Sequence, residues 1–236
     1  MLYQAYKFGW AAADYFFPPQ CGGCGTWGSR WCAACRKQVR KITGKTCTSC
    51  GIPLQNSKNK LCWRCQTGGR SYTAVRSWAF FEGPVRRAVH KLKYQRDIGL
   101  AERLSRELIK LVESWQPDFE LVTAVPLDRD RQRQRGFNQA LLLARPVAWA
   151  AGRPCRPEAI IRIRKTASQV GLSRSQRISN VHQAFRANGK VVRGCAVLII
   201  DDVMSTGATI EASSLALREA GAAQVYGLTL ARSVLN

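Results

Sequence analysis

The chain has 236 residues, 46% of them hydrophobic and 22% charged, which suits a globular protein with one sizeable core and a small accessory module. No stretch approaches the ~20 consecutive apolar residues that a membrane-spanning helix needs, so such a span is excluded. Its 37 Lys and Arg against 15 Asp and Glu leave a net charge of +22, and a charge that far from zero predicts a polyanionic partner. Nucleic acid is the first candidate, because neutralising phosphates releases counterions and asks for no special fold.

The charge is unevenly spread. Residues 1–70 carry 11 basic side chains and one acid, Asp14, and residues 121–195 carry 15 basic and 3 acidic. The tail, 196–236, is slightly acidic, with 2 basic and 4 acidic residues. The first 20 residues are rich in aromatics (Tyr3, Tyr6, Phe8, Trp10, Tyr15, Phe16, Phe17) and read as an amphipathic helix ended by Pro18-Pro19. They lack the basic start, continuous apolar stretch and small-residue cleavage site of an export signal. The helix is expected to pack on the protein, and the protein to stay in the cytoplasm, where thiols remain reduced.

Eight of the ten cysteines form four Cys-x-x-Cys pairs: Cys21/Cys24, Cys32/Cys35, Cys47/Cys50 and Cys62/Cys65. A two-residue gap lets both thiolates of a knuckle face one ion, and tetrahedral zinc needs two knuckles, so the set predicts two four-thiolate zinc sites. Disulfides fit poorly without an export signal, and a redox pair would normally occur once, within a βαβ pattern. Sequential pairing of knuckles needs the fewest crossings; an interleaved pairing is open, as is a partly degenerate head with only four ligands on metal. The metal's expected role is structural, since a segment with so few large aliphatics gains its folding energy from metal affinity. Between the knuckles stand Lys37, Arg40, Lys41, Lys45, Lys58, Lys60 and Arg64, with Trp27, Trp31 and Trp63. This mixture suits strand tracking and base stacking, but the tryptophans read first as the module's own core. Cys155 and Cys195 lie outside the pattern and read as small core residues.

After Gly68-Gly69 the composition changes, which divides the chain into a zinc module, residues 1–70, and a larger domain, residues 71–236. Strands are predicted over 74–81, 121–125, 159–163, 196–200 and 225–230, and helices over 83–94, 98–114, 136–151 and 211–220. In the helix over 136–151, Phe137, Leu141, Leu142, Ala144 and Val147 fall on one side. The alternation predicts an α/β fold with a mostly parallel sheet covered on both faces, whose ligands bind beyond the carboxyl ends of the strands.

That rule points to the run from Val197 to Thr209. Four buried aliphatics make a central strand, and Asp201 and Asp202 follow at its carboxyl end. Two neighbouring carboxylates can accept hydrogen bonds from the cis hydroxyls of a ribose and suit the positive charge of a ribosyl oxocarbenium. The turn from Val203 and Met204 through Ser205, Thr206, Gly207, Ala208 and Thr209 offers amides and hydroxyls to a phosphate at a helix N-terminus.

This run resembles the phosphoribosyl pyrophosphate (PRPP) motif of type I phosphoribosyltransferases, and the chain as a whole resembles the competence protein F family. The likeness extends over Phe17-Pro18-Pro19, the four knuckles, Lys91-Leu92-Lys93-Tyr94, Arg135-Gly136-Phe137-Asn138-Gln139, and Arg164-Lys165-Thr166 with Gln169, Arg177, Asn180-Val181 and Ala184-Phe185. The resemblance implies a Rossmann-like type I phosphoribosyltransferase fold with a small N-terminal zinc module. It implies Asp201 and Asp202 on the ribose hydroxyls, residues 203–209 around the 5′-phosphate, and a pyrophosphate turn at Val125-Pro126-Leu127. Arg164 and Lys165 are placed to close over the pyrophosphate, with which Mg²⁺ would travel. It also implies a role in DNA uptake or utilisation, with single-stranded DNA and other competence or DNA-processing proteins as partners. One departure is Ser205, where many purine-salvage relatives carry an acid; serine cannot act as a general base near neutral pH.

Arg129, Arg131, Arg133 and Arg135 alternate along 127–136. On a loop they would form a phosphate-tracking row, and on a helix they would spread around it. Lys91, Lys93 and Arg96 extend the same chemistry. His90 and His182 lack partners in the sequence and read as structural. The favoured reading is therefore a PRPP-binding, DNA-handling protein of the competence type. The alternatives are a conventional small-molecule phosphoribosyltransferase of nucleotide metabolism and a zinc-dependent regulator controlled by PRPP.

Overall fold

The computed structural model describes residues 2–55, 58–164 and 184–233. Four parallel strands form the main sheet: β1 (Ala74–Phe80), β2 (Leu121–Ala124), β5 (Ala196–Met204) and β6 (Gln224–Arg232), in the order β1-β6-β5-β2. A separate antiparallel pair joins β3 (Ile160–Arg162) to β4 (Phe185–Ala187). The remaining elements are the helices α1 (Leu2–Phe16), α2 (Ala33–Lys37), α3 (Trp63–Gln66), α4 (Gly83–Tyr94), α5 (Gly99–Trp115), α6 (Arg129–Arg135), α7 (Gln139–Ala150), α8 (Gly189–Val192) and α9 (Ala208–Glu219).

Alternation along β5 explains the two layers of core. Leu198 and Ile200 face a core shared with Leu92, Leu104, Leu143 and Val147 of α4, α5 and α7. Val197 and Ile199 face the opposite core, with Ile210 and Leu217 of α9. A strand buried on both faces reads as a continuous aliphatic run for this reason. Helix α4 opens with Pro84 in its first turn and buries Val85, Ala88, Val89 and Leu92, one stripe at helical spacing.

The expected elements recur with corrections, the helix expected over 211–220 starting at Ala208. Strand β5 continues to Met204, so the two aspartates lie within its paired length, Asp201 opposite Thr229. The helix expected over 136–151 starts at Gln139, because the Asn138 side chain accepts from the Ala140 amide at 2.9 Å and caps it. Its buried stripe is Ala140, Leu143, Ala144, Val147 and Ala148, with Leu141 and Leu142 only partly buried. The arginine row before it is a helix of its own, α6, which Gly136 closes at φ 84°. Residues 165–183 lie outside the described residues, and with them Lys165, Thr166, Gln169, Arg177, Asn180, Val181 and His182.

The cysteine-rich head is bound to the sheet as if it were a further strand. The Ile42 amide donates to the Trp78 carbonyl (3.0 Å), the Phe80 amide to Arg40 (3.0 Å), and the Val75 amide to Ser49 (2.7 Å). These bonds cover the open edge of β1, which would otherwise offer unpaired amides to another chain. Gly51 makes the approach possible: its φ is 70°, and a Cβ there would stand 2.4 Å from the Val75 carbonyl oxygen. On the other face of the head, Lys91 donates to the Cys21 carbonyl at 3.2 Å, and Trp31 is buried in the core below. Helix α1 is tied down by Arg30, which pairs with Asp14 at 2.6 Å and Asp97 at 2.8 Å, and by Tyr6 packing edge-on against Trp149.

Candidate ligand cleft and metal centres

The structure decides the pairing of knuckles that the sequence left open. Cys21, Cys24, Cys32 and Cys35 form one cluster and Cys47, Cys50, Cys62 and Cys65 the other, each with all four sulfurs within 4.8 Å of one another. The Cys24–Cys32 and Cys50–Cys62 sulfurs stand 3.7 and 3.6 Å apart. A zinc ion at about 2.3 Å from four tetrahedral thiolates sets their spacing near this value. Backbone amides aim at the sulfurs, with Gly23 and Cys32 donating to Cys21 and Cys62 donating to Cys47, all at 3.4 Å. In the second cluster, burial pushes the Cys50 thiol up to about 12. Burial also opposes ionisation of Cys47, yet amides of Cys62, Cys50 and Ser49 outweigh it and bring that thiol to about 7. Four such sulfurs ionise together only around a cation, which the donor set fits as zinc.

The cleft lies at the carboxyl end of the sheet and encloses about 740 Å³. Asp201 and Asp202 form its floor, 8% and 4% exposed. Ser205, Thr209, the turn Val125-Pro126-Leu127, Arg131 and Arg135 line its walls. The Asp202 amide donates to its neighbour's Oδ1 at 2.8 Å. Lys93 reaches in from α4 and ion-pairs with the Asp202 carboxylate. Burial, reinforced by the adjacent Asp202 charge, holds the Asp201 carboxyl well above the usual carboxylate range. Burial opposes ionisation of Asp202 as well, but the Lys93 ammonium outweighs it and keeps that carboxyl below its ordinary value. The two carboxyls are thus pushed in opposite directions, and the one favoured as a carboxylate is the one that Lys93 pairs.

Behind the dyad, Gly207 adopts φ 85°, and a Cβ there would stand 2.6 Å from the Met204 methyl. This left-handed residue turns the chain from β5 into α9, so that the loop 205–209 meets the helix N-terminus. The Thr206 hydroxyl accepts from the Ala208 amide at 3.2 Å, and Val203 and Met204 are the last residues of the strand.

Of the basic residues expected to follow nucleic acid, Lys91 is engaged by the Cys21 carbonyl and Lys93 by Asp202. The arginine row divides in two. Arg131 and Arg135, one turn apart on α6, face the cleft, while Arg129 and Arg133 are exposed. Arg135 also lies over the Tyr94 ring at 5.2 Å and donates to Gln139 at 2.9 Å. Arg164 is exposed just beyond β3. Of the three head tryptophans only Trp31 is buried; Trp27 and Trp63 are 68% and 67% exposed. Two of them are thus outside the core that was expected to hold them, because the head rests on the α/β layer and needs less core of its own.

Sequence reasoning missed Arg86 and His90, which line the cleft, as do Phe81 and Gln139. His90 sits between Phe81 and Tyr94, with ring centroids 6.5 and 5.5 Å away. A signal was present: Arg86, His90 and Lys93 recur at helical spacing opposite the apolar stripe of α4.

Two thiolate clusters mounted on the edge of a parallel sheet, and a carboxylate dyad above it, define the class: a double zinc ribbon joined to a parallel-sheet α/β domain. Residues 12–66 match the family model of the double zinc ribbon domain. The chain is 34% identical over 214 residues to DNA utilization protein YhgH of Salmonella typhi, covering 87% of this chain and 92% of the relative. It is 28% identical over 210 residues to competence protein ComFC of Bacillus subtilis, covering 86% and 84%. The chain belongs to the family of these proteins, the competence protein F family. Among solved structures, the glutamine PRPP amidotransferase of B. subtilis aligns with 23% identity and a TM-score of 0.41, over 56% of this chain and 27% of that one. No helix among the described residues is long and apolar enough to cross a membrane.

Proposed function

We propose that the chain binds PRPP in the dyad cleft and single-stranded DNA on its basic surfaces, and acts in the uptake or utilisation of DNA in the cytoplasm. The observation that carries this reading is the adjacency of Asp201 and Asp202 to the Gly207 turn at the head of α9. The carboxylates would accept from the ribose hydroxyls, and the amides of 205–209 would hold the 5′-phosphate. Arg131, Arg135 and the turn at Pro126 and Leu127 would meet the pyrophosphate, and the family resemblance adds Arg164 and Lys165. Mg²⁺ suits a place on the pyrophosphate oxygens rather than in a protein cage, since Lys93 already engages Asp202. On this reading residues 1–70 are a zinc-held platform and residues 71–236 the ligand-binding domain. The relatives' names, DNA utilization and competence, support the DNA part of the reading, as do the exposed Trp27 and Trp63 among basic residues.

Replacing both Asp201 and Asp202 by alanine is expected to weaken PRPP binding by at least about tenfold in calorimetry. An unchanged affinity would exclude the ribose role. Single-stranded DNA affinity is expected to fall steeply with salt, on a linear double-logarithmic plot, because each neutralised phosphate releases a counterion. A flat plot would count against electrostatic capture.

A further inference from the structure

A second cavity, of about 290 Å³, adjoins the phosphate loop and is walled by the second ribbon. Ser205 and Ser233 line both this cavity and the dyad cleft, so the two meet at the end of the sheet. Its apolar lining comes from Ile52 and Pro53 of the ribbon, Tyr72 just before β1, Phe80 at the end of that strand, and Met204. Arg40, Arg64, Arg70 and Arg232 also line it, and among the described residues no carboxylate does. Arg232 is only 7% exposed, and its guanidinium donates to the Cys50 carbonyl at 2.5 Å and the Met204 sulfur at 3.4 Å. Its charge faces the Cys50 thiolate, and Arg70 faces Cys65, so these two guanidiniums balance the second cluster, and the cationic charge offered to a ligand comes from Arg40 and Arg64. Arg40 lies over the Phe80 ring at 3.9 Å and pairs with Glu82 at 3.2 Å in solvent, where such a pair is weak enough to yield to a phosphate.

An apolar, partly aromatic interior at the small end of ligand-pocket volumes, with guanidinium groups around it, matches one chemical class: a planar heterocycle carrying a phosphate. We propose that the ribbon-walled cavity is a nucleotide subsite, taking a nucleobase against Ile52, Tyr72 and Met204 and its phosphate on Arg40 and Arg64. The second cysteine cluster then has a task beyond folding, because Cys50 and Cys62 fix one wall of the cavity. The nucleotide can be a free mononucleotide or the terminal residue of a strand; the cavity stands without PRPP at the dyad, while the strand source rests on the DNA reading above.

The test is calorimetry on the full zinc-loaded chain with three probes: deoxyadenosine 5′-monophosphate, a short 5′-phosphorylated oligodeoxyadenylate, and its 5′-hydroxyl twin. Ile52→Trp, which fills the cavity, and Arg64→Gln, which removes a cation, are each expected to lower mononucleotide affinity by about tenfold or more. Zinc content and circular dichroism should stay those of the parent, and saturating PRPP should not displace the mononucleotide. If the phosphorylated strand loses affinity in both variants and its hydroxyl twin does not, the cavity holds strand ends. If strand binding is insensitive to both, the cavity holds the free mononucleotide. Parental affinity of both variants for every probe, or competitive displacement by PRPP, would overturn the proposal, and strand binding that survives unaltered would leave the DNA reading intact.

Discussion

Removing the second cluster's metal, by replacing Cys47 and Cys50 with serine, is expected to unfold that ribbon and strip the β1 edge. Structural zinc contributes on the order of 10 kcal/mol to the folding of small metal-held modules, more than the contacts of Ile52, Leu54 and Leu61 with the core below supply. Its hydrogen bonds would be lost with it: the Val75 amide would forfeit the Ser49 carbonyl, and Arg232 the Cys50 carbonyl. Hydrogen exchange measures this directly. The Val75 amide should lose protection, whereas Leu198–Ile200, paired on both sides by β2 and β6, should keep theirs. The exposed edge should also make the variant prone to self-association, visible in light scattering. Unchanged protection at Val75 would mean that the ribbon is not what seals the sheet.

The second large effect concerns Lys93. Lys93→Met leaves two adjacent buried carboxyls without their cation, and removing one partner of a buried pair typically costs about 3 kcal/mol or more. The pH dependence gives the cause away. In the parent, Asp202 is held below its unfolded value, so its stabilising contribution is present above about pH 4 and fades as pH falls through the folded value. In the variant the largest force opposing burial is gone, leaving only the Asp201 hydrogen bond and the Arg135 charge, so the folded Asp202 value rises relative to the parent. Stability should then fall, relative to the parent, as pH rises above about 4. Urea unfolding should show a gap between the two proteins that widens from acid to neutral pH. A gap independent of pH would show that the lysine acts through packing of its stem and not through charge.

The parts of this protein that were legible in its sequence are those whose chemistry is encoded by neighbours along the chain. A Cys-x-x-Cys knuckle orients its own thiolates, and four of them named the metal sites before any fold was known. The aliphatic run 197–200 and the small-residue turn after it specify a buried strand, a dyad and a helix start through local backbone geometry alone. Helix α4 was equally plain, since its proline start and apolar stripe lie within one element. Strand β4 escaped notice because three residues carry too little periodicity to register.

What remained was decided by distance. Which knuckles share an ion, which lysine meets Asp202, and which arginines face the cleft depend on how separate elements pack, and a charge carries no mark of its partner until burial brings the two together. Alternating arginines became two faces because a capping aspartate and a left-handed glycine made that stretch a helix. Trp27 and Trp63 stayed outside because the α/β layer beneath the head supplied the core they would otherwise have formed. The sequence alone thus determined the donors and the loop; the tertiary structure chose the partners, because hydrogen bonds and ion pairs between distant residues gain their strength only from the desolvation that packing imposes.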